Sequence, residues 1–409
     1  MTSGAGAPGP VRAAGAPDLL ADAGARALLE QVVRLPSASG SEAAVAASFV
    51  AALAPHADDA FVDEAGNAIA VAGRGPVRLA LLAHLDTFPG WPPVRLKDGV
   101  LHGRGTVDAK GAAVALAAAL ARSDEGAREA LEIRFVGAVG EEAPGSRGAR
   151  HAMLAYPRPH LLIVGEPSGW DGMTLGYKGH LRLRLRAERA AAHAARDEAT
   201  ACEALVTAWS RLRAWAAGAA PDAAHGAEAR SFDRLQVALT SLASSHDGVT
   251  ERAEAELGWR LPPAWPPAAL QSALAAIDLG AGLSWVADDG VAAVRAPRDG
   301  RLARAFRAAI RAAGGVPAPR VKTGTSDWNV VASAWDADTV AYGPGDAALD
   351  HTPVERLALA ELDRSVAVLG DVVRRLAAGP SAGPSAFQGG PGASEPAGWL
   401  RGRTDRSSS

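Results

Sequence analysis

His84-Leu85-Asp86, Glu141-Glu142, Glu166 and Asp350-His351 lie far apart in the chain, yet each group follows a short apolar run, at 77–83, 131–139, 161–164 and 339–342. Asp108 stands in Gly103-Arg104-Gly105-Thr106-Val107-Asp108-Ala109-Lys110-Gly111, just before a helical pattern. If the apolar runs are strands of one open sheet, their carboxyl ends lie side by side and these side chains converge in a single crevice. Two imidazoles and several carboxylates without a thiol suit zinc or a similar divalent ion in an open, catalytic coordination. Taken singly, Asp108 reads as a helix N-cap, Glu141-Glu142 as a solvated strand end and His351 as turn polarity. Their joint placement at consecutive strand ends favours a metal site.

The elements that would position them alternate. Helical periodicity covers 25–35, 41–53, 111–121 and 146–155, a hairpin turning at Gly66-Asn67 spans 60–72, and buried strands fall at 77–83, 131–139 and 161–164. This order predicts an α/β domain with helices on both faces of a sheet. The middle of the chain changes character. Leu181-Arg182-Leu183-Arg184-Leu185-Arg186 has period 2, Ala201, Leu205, Ala208, Leu212 and Trp215 share a helix face, and strands follow at 232–242 and 250–261. A helix at 266–279 and a hairpin or strand pair at 283–296 complete a β-α-β-β-α-β order, the ferredoxin-like split motif. An inserted α+β domain at 177–294 is therefore expected within a metal-binding domain made of 18–176 and 295–378. A helix at 299–313, the loop 322–327, a strand at 339–342 and a helix at 354–377 return the chain to the first domain.

Composition limits the function. With 48% hydrophobic and 21% charged residues the chain has a large core, and its net charge of -3 argues against a broad footprint for nucleic acid. Cys202 is the single cysteine, so no disulfide framework or Cys-rich zinc site is available, which fits a cytoplasmic protein. No signal peptide or membrane-spanning run is apparent, and the tails 1–17 and 379–409 read as disordered. The lysines are Lys97, Lys110, Lys178 and Lys322 in a chain otherwise using arginine.

The chain resembles the aminoacylase/carboxypeptidase-like family of co-catalytic zinc metallopeptidases through His84-Leu85-Asp86-Thr87, the 103–111 stretch, Gly140-Glu141-Glu142, Gly165-Glu166-Pro167-Ser168 and His351-Thr352-Pro353, over about 19–378. The resemblance implies a zinc-peptidase-like catalytic domain with a mixed sheet, an inserted ferredoxin-like lid through which two chains dimerise, and two divalent ions per chain, Zn2+ or Co2+. By it His84, Asp108 and Glu166 would hold one ion and Asp108, Glu142 and His351 the other. Asp86 would orient His84 by a hydrogen bond and Glu141 would be the general base. His193, in a stretch that lacks the family's following Ser and Pro, would reach across a dimer to the oxyanion. Arg260 would grip a substrate carboxylate, although Gly258 stands where the family has an acidic residue.

One branch is closer still, through Gly165-Glu166-Pro167-Ser168-Gly169-Trp170, Leu175-Gly176-Tyr177-Lys178-Gly179, Lys322-Thr323-Gly324-Thr325-Ser326-Asp327 and Ala341-Tyr342-Gly343-Pro344-Gly345-Asp346. These resemble the amino-group carrier protein lysine/ornithine hydrolases, which release lysine or ornithine from the C-terminal glutamate of a small acidic carrier protein in lysine or arginine biosynthesis. Lys178, Lys322 and Thr325 would then contact substrate, and Arg182, Arg184 and Arg186 on one strand face would attract the carrier. The competing expectations are a deacylase of a small N-acyl amino acid, such as acetylornithine or succinyl-diaminopimelate, a dipeptidase, and a non-catalytic binding protein on the same fold. Glu141 argues against the last, since a binding module needs no base.

Overall fold

Helices cover both faces of the central strands, so those strands read as unbroken apolar runs rather than alternating ones. The computed structural model describes residues 16–193, 197–219, 231–288 and 290–379. The tails expected to be disordered lie outside them, except for residues 16, 17 and 379. Along the chain run α1 (Asp22–Val33), α2 (Ala43–Leu53), β1 (Asp59–Val62), β2 (Ala68–Ala72), β3 (Val77–His84), β4 (Arg95–Lys97), β5 (Val100–His102) and α3 (Lys110–Ala121). Next come α4 (Glu125–Ala130), β6 (Leu131–Ala138), α5 (Arg147–Ala155), β7 (Leu161–Gly165) and β8 (Gly172–Tyr177). The middle holds β9 (Gly179–Ala190), α6 (Ala201–Gly218), β10 (Gln236–His246), β11 (Thr250–Leu261), α7 (Pro267–Ala275) and β12 (Leu283–Ala287). The last part comprises β13 (Val294–Arg295), α8 (Arg301–Ala312), β14 (Ala318–Lys322), α9 (Asp327–Val331), β15 (Asp338–Ala341), β16 (Arg356–Ala358) and α10 (Leu359–Ala377).

The large mixed sheet has the order β1-β2-β6-β3-β7-β15-β8-β13, with β14 also paired to β8. Its four central strands β6, β3, β7 and β15 are parallel, and their ends are in step: His84 lies opposite Ala138, Ala83 opposite Gly165 and Val164 opposite Ala341. That register aligns the carboxyl ends. Helix α3 is buried on every side, which its alanine-rich sequence permits. The strand ends approach it so closely that a Cβ on Gly343 would lie 2.5 Å from the Ala112 side chain. A small sheet, β16-β5-β4, closes one flank.

The inserted segment forms its own antiparallel sheet, β10-β11-β9-β12, with α6 and α7 supplying the two helices of the split motif. Leu181, Leu183 and Leu185 of β9 pack with Leu205, Leu212, Leu257 and Trp259 in a second apolar core, separate from that of the large sheet. A capping box between Thr200 and Glu203 starts α6. Trp259 is fully buried and meets Trp215 edge to face at 6.2 Å.

Two expected elements change. The stretch 283–296 is no hairpin: β12 joins the small sheet beside β9, whereas Val294 and Arg295 pair with Tyr177 and Gly176 of the large sheet. The chain leaves the small sheet after Val291, whose backbone N–H and carbonyl still exchange hydrogen bonds with His180 of β9 at 2.9 Å. The closing helix starts at Leu359 rather than 354, because Arg356 to Ala358 are engaged as a strand against β5. Among the described residues no helix is long and apolar enough to cross a membrane. Replacing Trp259 by Ala should remove ~3–5 kcal/mol of stability by opening a cavity in the second core. A urea unfolding midpoint unchanged from wild type would contradict the role given to this indole.

Candidate active site

The aligned strand ends carry their side chains into one cavity of about 810 Å³, whose wall includes His84, Asp108, Glu141, Glu142, Glu166 and His351. His84 ends β3, Glu166 directly follows β7, and Glu141 and Glu142 follow β6 after Gly140. Gly140 has φ 76°, a left-handed turn that glycine adopts without a Cβ penalty and that redirects the two adjacent carboxylates. His84 Nε2 lies 3.2 Å from Asp108 Oδ1, while His351 Nε2 lies 3.1 Å from Asp108 Oδ2 and 3.0 Å from Glu142 Oε1. One carboxylate therefore spans both imidazoles. Donor atoms of Asp108, Glu142 and His351 all lie within 4.8 Å of one another, close enough to hold one metal ion.

The electrostatics of this cluster follow from burial. Burial disfavours the carboxylate of Asp108, but hydrogen bonding to His351 and His84 outweighs it and holds the group far below the usual carboxylate range. Burial pushes Glu166 up to about 8, and Asp108 nearby adds to it. Glu141 is driven well above its ordinary value by burial, with Asp327, Glu166 and Glu142 reinforcing the shift against His84. The hydrogen bond to Asp108 lifts His351 to about 9. His84 is also raised, since its carboxylate neighbours outweigh the effect of burial. Carboxylates crowded in low dielectric with two imidazoles are a donor set that a divalent cation fits.

Asp86 acts differently from the expected contact with His84. Its main-chain carbonyl, not its carboxylate, meets His84 Nδ1 at 2.9 Å, and the carboxylate stands 3.6 Å from that nitrogen. The carboxylate instead accepts hydrogen bonds from the backbone N–H of Glu141 at 3.0 Å, from that of Glu142 at 2.9 Å and from the Ser39 hydroxyl at 2.7 Å. It pins the turn bearing both glutamates.

Arg260, Lys322 and Thr325 also line the cavity, and Arg260 Nη1 lies 3.3 Å from Thr325 Oγ1. Lys322 sits 5.9 Å from the Tyr177 ring centre. Lys178 is not in the cavity wall: it is buried, and its Nζ donates to Gln236 Oε1 at 2.6 Å and to the Arg234 carbonyl, tying β8 to the start of β10. Burial lowers its pKa to about 8. The expected substrate contact is thus corrected to an internal tie, which the sequence around Lys178 could not distinguish from a cavity residue. Arg184 and Arg186 do not form an open cationic row, because Glu256 and Glu254 face them across the ladder at 3.4 and 2.9 Å. Arg182, opposite Gly258, does line the cavity. His193 lies beyond the far end of β9, roughly 36 Å along the strand from Gly179 at ~3.3 Å per residue, and is not part of the wall. Asp350, named beside His351 at its strand end, lies in the wall, and so does Asp288, which follows the inserted strand β12 and which the strand-end pattern did not include.

Residues 80–375 match the model of peptidase family M20/M25/M40, and the chain belongs to that family. It is 51% identical over 358 residues to the LysW-lysine hydrolase of Deinococcus radiodurans, covering 87% of this chain and 98% of that one. A protein of Thermococcus kodakarensis, provisionally named a LysW-lysine/LysW-ornithine hydrolase, is 36% identical over 85% of this chain and 91% of its own. The fold is shared with the M20 family metallo-carboxypeptidase Sso-CP2 from Sulfolobus solfataricus, at a TM-score of 0.72 and 15% identity over 87% of this chain and 99% of that one.

Asp86→Asn should weaken Co2+ binding by ~10–100-fold, because its NH2 would face one of the two backbone N–H groups, leaving that donor without an acceptor and loosening the Glu141–Glu142 turn. Isothermal titration reads the effect, and wild-type affinity in this variant would show that the turn holds without the second carboxylate oxygen.

Proposed function

We propose that this chain hydrolyses the amide that joins lysine or ornithine to the side-chain carboxyl of the C-terminal glutamate of an amino-group carrier protein, LysW or a close relative. The observation that carries the reading is the convergence of His84, Asp108, Glu142, Glu166 and His351 with Glu141 in one cavity of a chain half identical to a LysW-lysine hydrolase. His84, Asp108 and Glu166 would hold one divalent ion, and Asp108, Glu142 and His351 a second, with Asp108 shared; zinc or cobalt suits the set. When bound, such a pair supplies Lewis acidity to the scissile carbonyl and acidifies the attacking water.

The chain's own groups do the rest. Glu141, in the cavity wall beside the ligand set, would take a proton from the attacking water and pass it to the departing amine. Asp86 keeps Glu141 and Glu142 at a fixed turn, so the base and the neighbouring ligand face different partners. The carrier's terminal glutamate keeps its α-carboxylate beside the scissile amide, and Arg260 with Lys322 offers the cationic side of the cavity to it. Thr325 orients Arg260. His193 stands too far from its own cavity to reach a reacting carbonyl, so its oxyanion role requires the cavity of a second copy, and the active form is a homodimer joined through the inserted sheet.

Glu141→Gln should retain two equivalents of metal and lose turnover by ~10²–10⁴-fold, the usual contribution of a positioned base. His351→Ala should lose metal as well as turnover. The substrate is tested by comparing release of lysine from the carrier conjugate with deacylation of acetylornithine. Faster cleavage of acetylornithine would favour a small-molecule deacylase, and cleavage of neither with metal bound would favour a binding protein. Sedimentation of an active monomer would remove both the dimer and the role of His193.

A further inference from the structure

Arg104 and Glu355 form an ion pair buried behind the cavity, Nη1 to Oε2 at 2.8 Å, with the two side chains 5% and 0% exposed. Neither lies in the cavity wall. A buried ion pair is seldom a source of stability by itself, so the contacts of its remaining polar atoms decide what it does. Glu355 Oε1 accepts from the backbone N–H of Val107 at 2.9 Å and of Asp108 at 3.1 Å. On the other side the guanidinium donates to the His351 carbonyl at 3.3 Å and the Thr352 carbonyl at 3.2 Å. It also donates to the Gly90 carbonyl at 3.3 Å.

The pair thus joins the two loops that deliver Asp108 and His351. His351 needs that support, because it holds φ 61°, a left-handed conformation that a side chain with a Cβ disfavours. A second route leads from the same arginine to the same residue. The guanidinium lies 5.8 Å from the Phe88 ring centre, and Phe88 stacks on the His351 ring with centres 4.3 Å apart and planes 12° from parallel. Backbone and imidazole of His351 are both set by groups that Arg104 touches.

We propose that the Arg104–Glu355 pair is a positioning device that fixes the separation of Asp108 and His351 and so builds the Asp108–Glu142–His351 ion site in particular. This rests on the reading that two divalent ions bind the cavity. Two of the three donors of that site hang from the pair, against one of three for the site with His84 and Glu166, so loss of the pair should fall unequally on the two ions. A lysine at 104 keeps the charge opposite Glu355 but has no planar fork to span the His351 and Thr352 carbonyls. A glutamine at 355 has one acceptor oxygen, which cannot serve both the two backbone N–H groups and Arg104.

The test is a Co2+ titration of metal-free wild type, Arg104→Lys and Glu355→Gln, followed by visible absorption, with the unfolding temperature of each metal-free protein measured alongside. Wild type should take two ions. Each variant should bind the first close to wild-type affinity and the second ~10–100-fold more weakly, the range seen when groups that orient a ligand are removed. Retention of both wild-type affinities in both variants would overturn the proposal, as would equal weakening of the two ions, which marks a general scaffold. If Glu355→Gln does not fold, Arg104→Lys decides by the same two readings. A wild type that binds fewer than two ions would instead refute the dinuclear reading, whatever the variants do.

Discussion

Bringing several carboxylates and two imidazoles together out of water is the constraint that the structure answers at every level. The charges meet because β6, β3, β7 and β15 are parallel and end in step, so the residue after each strand has nowhere else to point. Parallel strands with aligned ends, packed against the fully buried α3, give a floor with little freedom to relax. Such a floor holds repelling carboxylates together only while other groups balance them.

The two imidazoles balance Asp108, and the loops that carry the charges are tied largely through main-chain atoms. The Asp86 carboxylate accepts from two backbone N–H groups of the Glu141–Glu142 turn, Glu355 accepts from those of Val107 and Asp108, and Arg104 donates to the carbonyls of His351 and Thr352. Each loop of the site is therefore tied through its backbone, leaving side-chain oxygens and ring nitrogens to face the cavity. The inserted sheet completes the wall from a separate core. Arg260 reaches from β11 to Thr325 of the large domain, which places the cationic side of the cavity across the junction of the two sheets.

Much of this was legible in the sequence, because strand ends and periodicity are local signals. The runs before His84, Glu141 and Glu166 are short, apolar and bounded, and the alternation of Leu181 to Arg186 identifies one buried face. What escaped depends on contacts between distant segments. Nothing near Glu355 reveals that it caps the backbone at Asp108, and nothing near Lys178 reveals that Gln236 and the Arg234 carbonyl occupy its ammonium. The stretch 283–296 looked like a hairpin or strand pair because two β-prone pieces flank a polar turn, yet the second belongs to the other sheet. Arg184 and Arg186 looked like an open cationic row because their partners lie on β11, some seventy residues further along the chain by number.

The central claim is that the aligned strand ends build a pair of adjoining cation sites sharing Asp108. Anomalous diffraction at the zinc edge, from crystals of the zinc-loaded protein, measures it most directly. The account predicts two peaks ~3.5–4 Å apart, one among His84, Asp108 and Glu166 and the other among Asp108, Glu142 and His351. A single peak, or two that do not share Asp108, would contradict it.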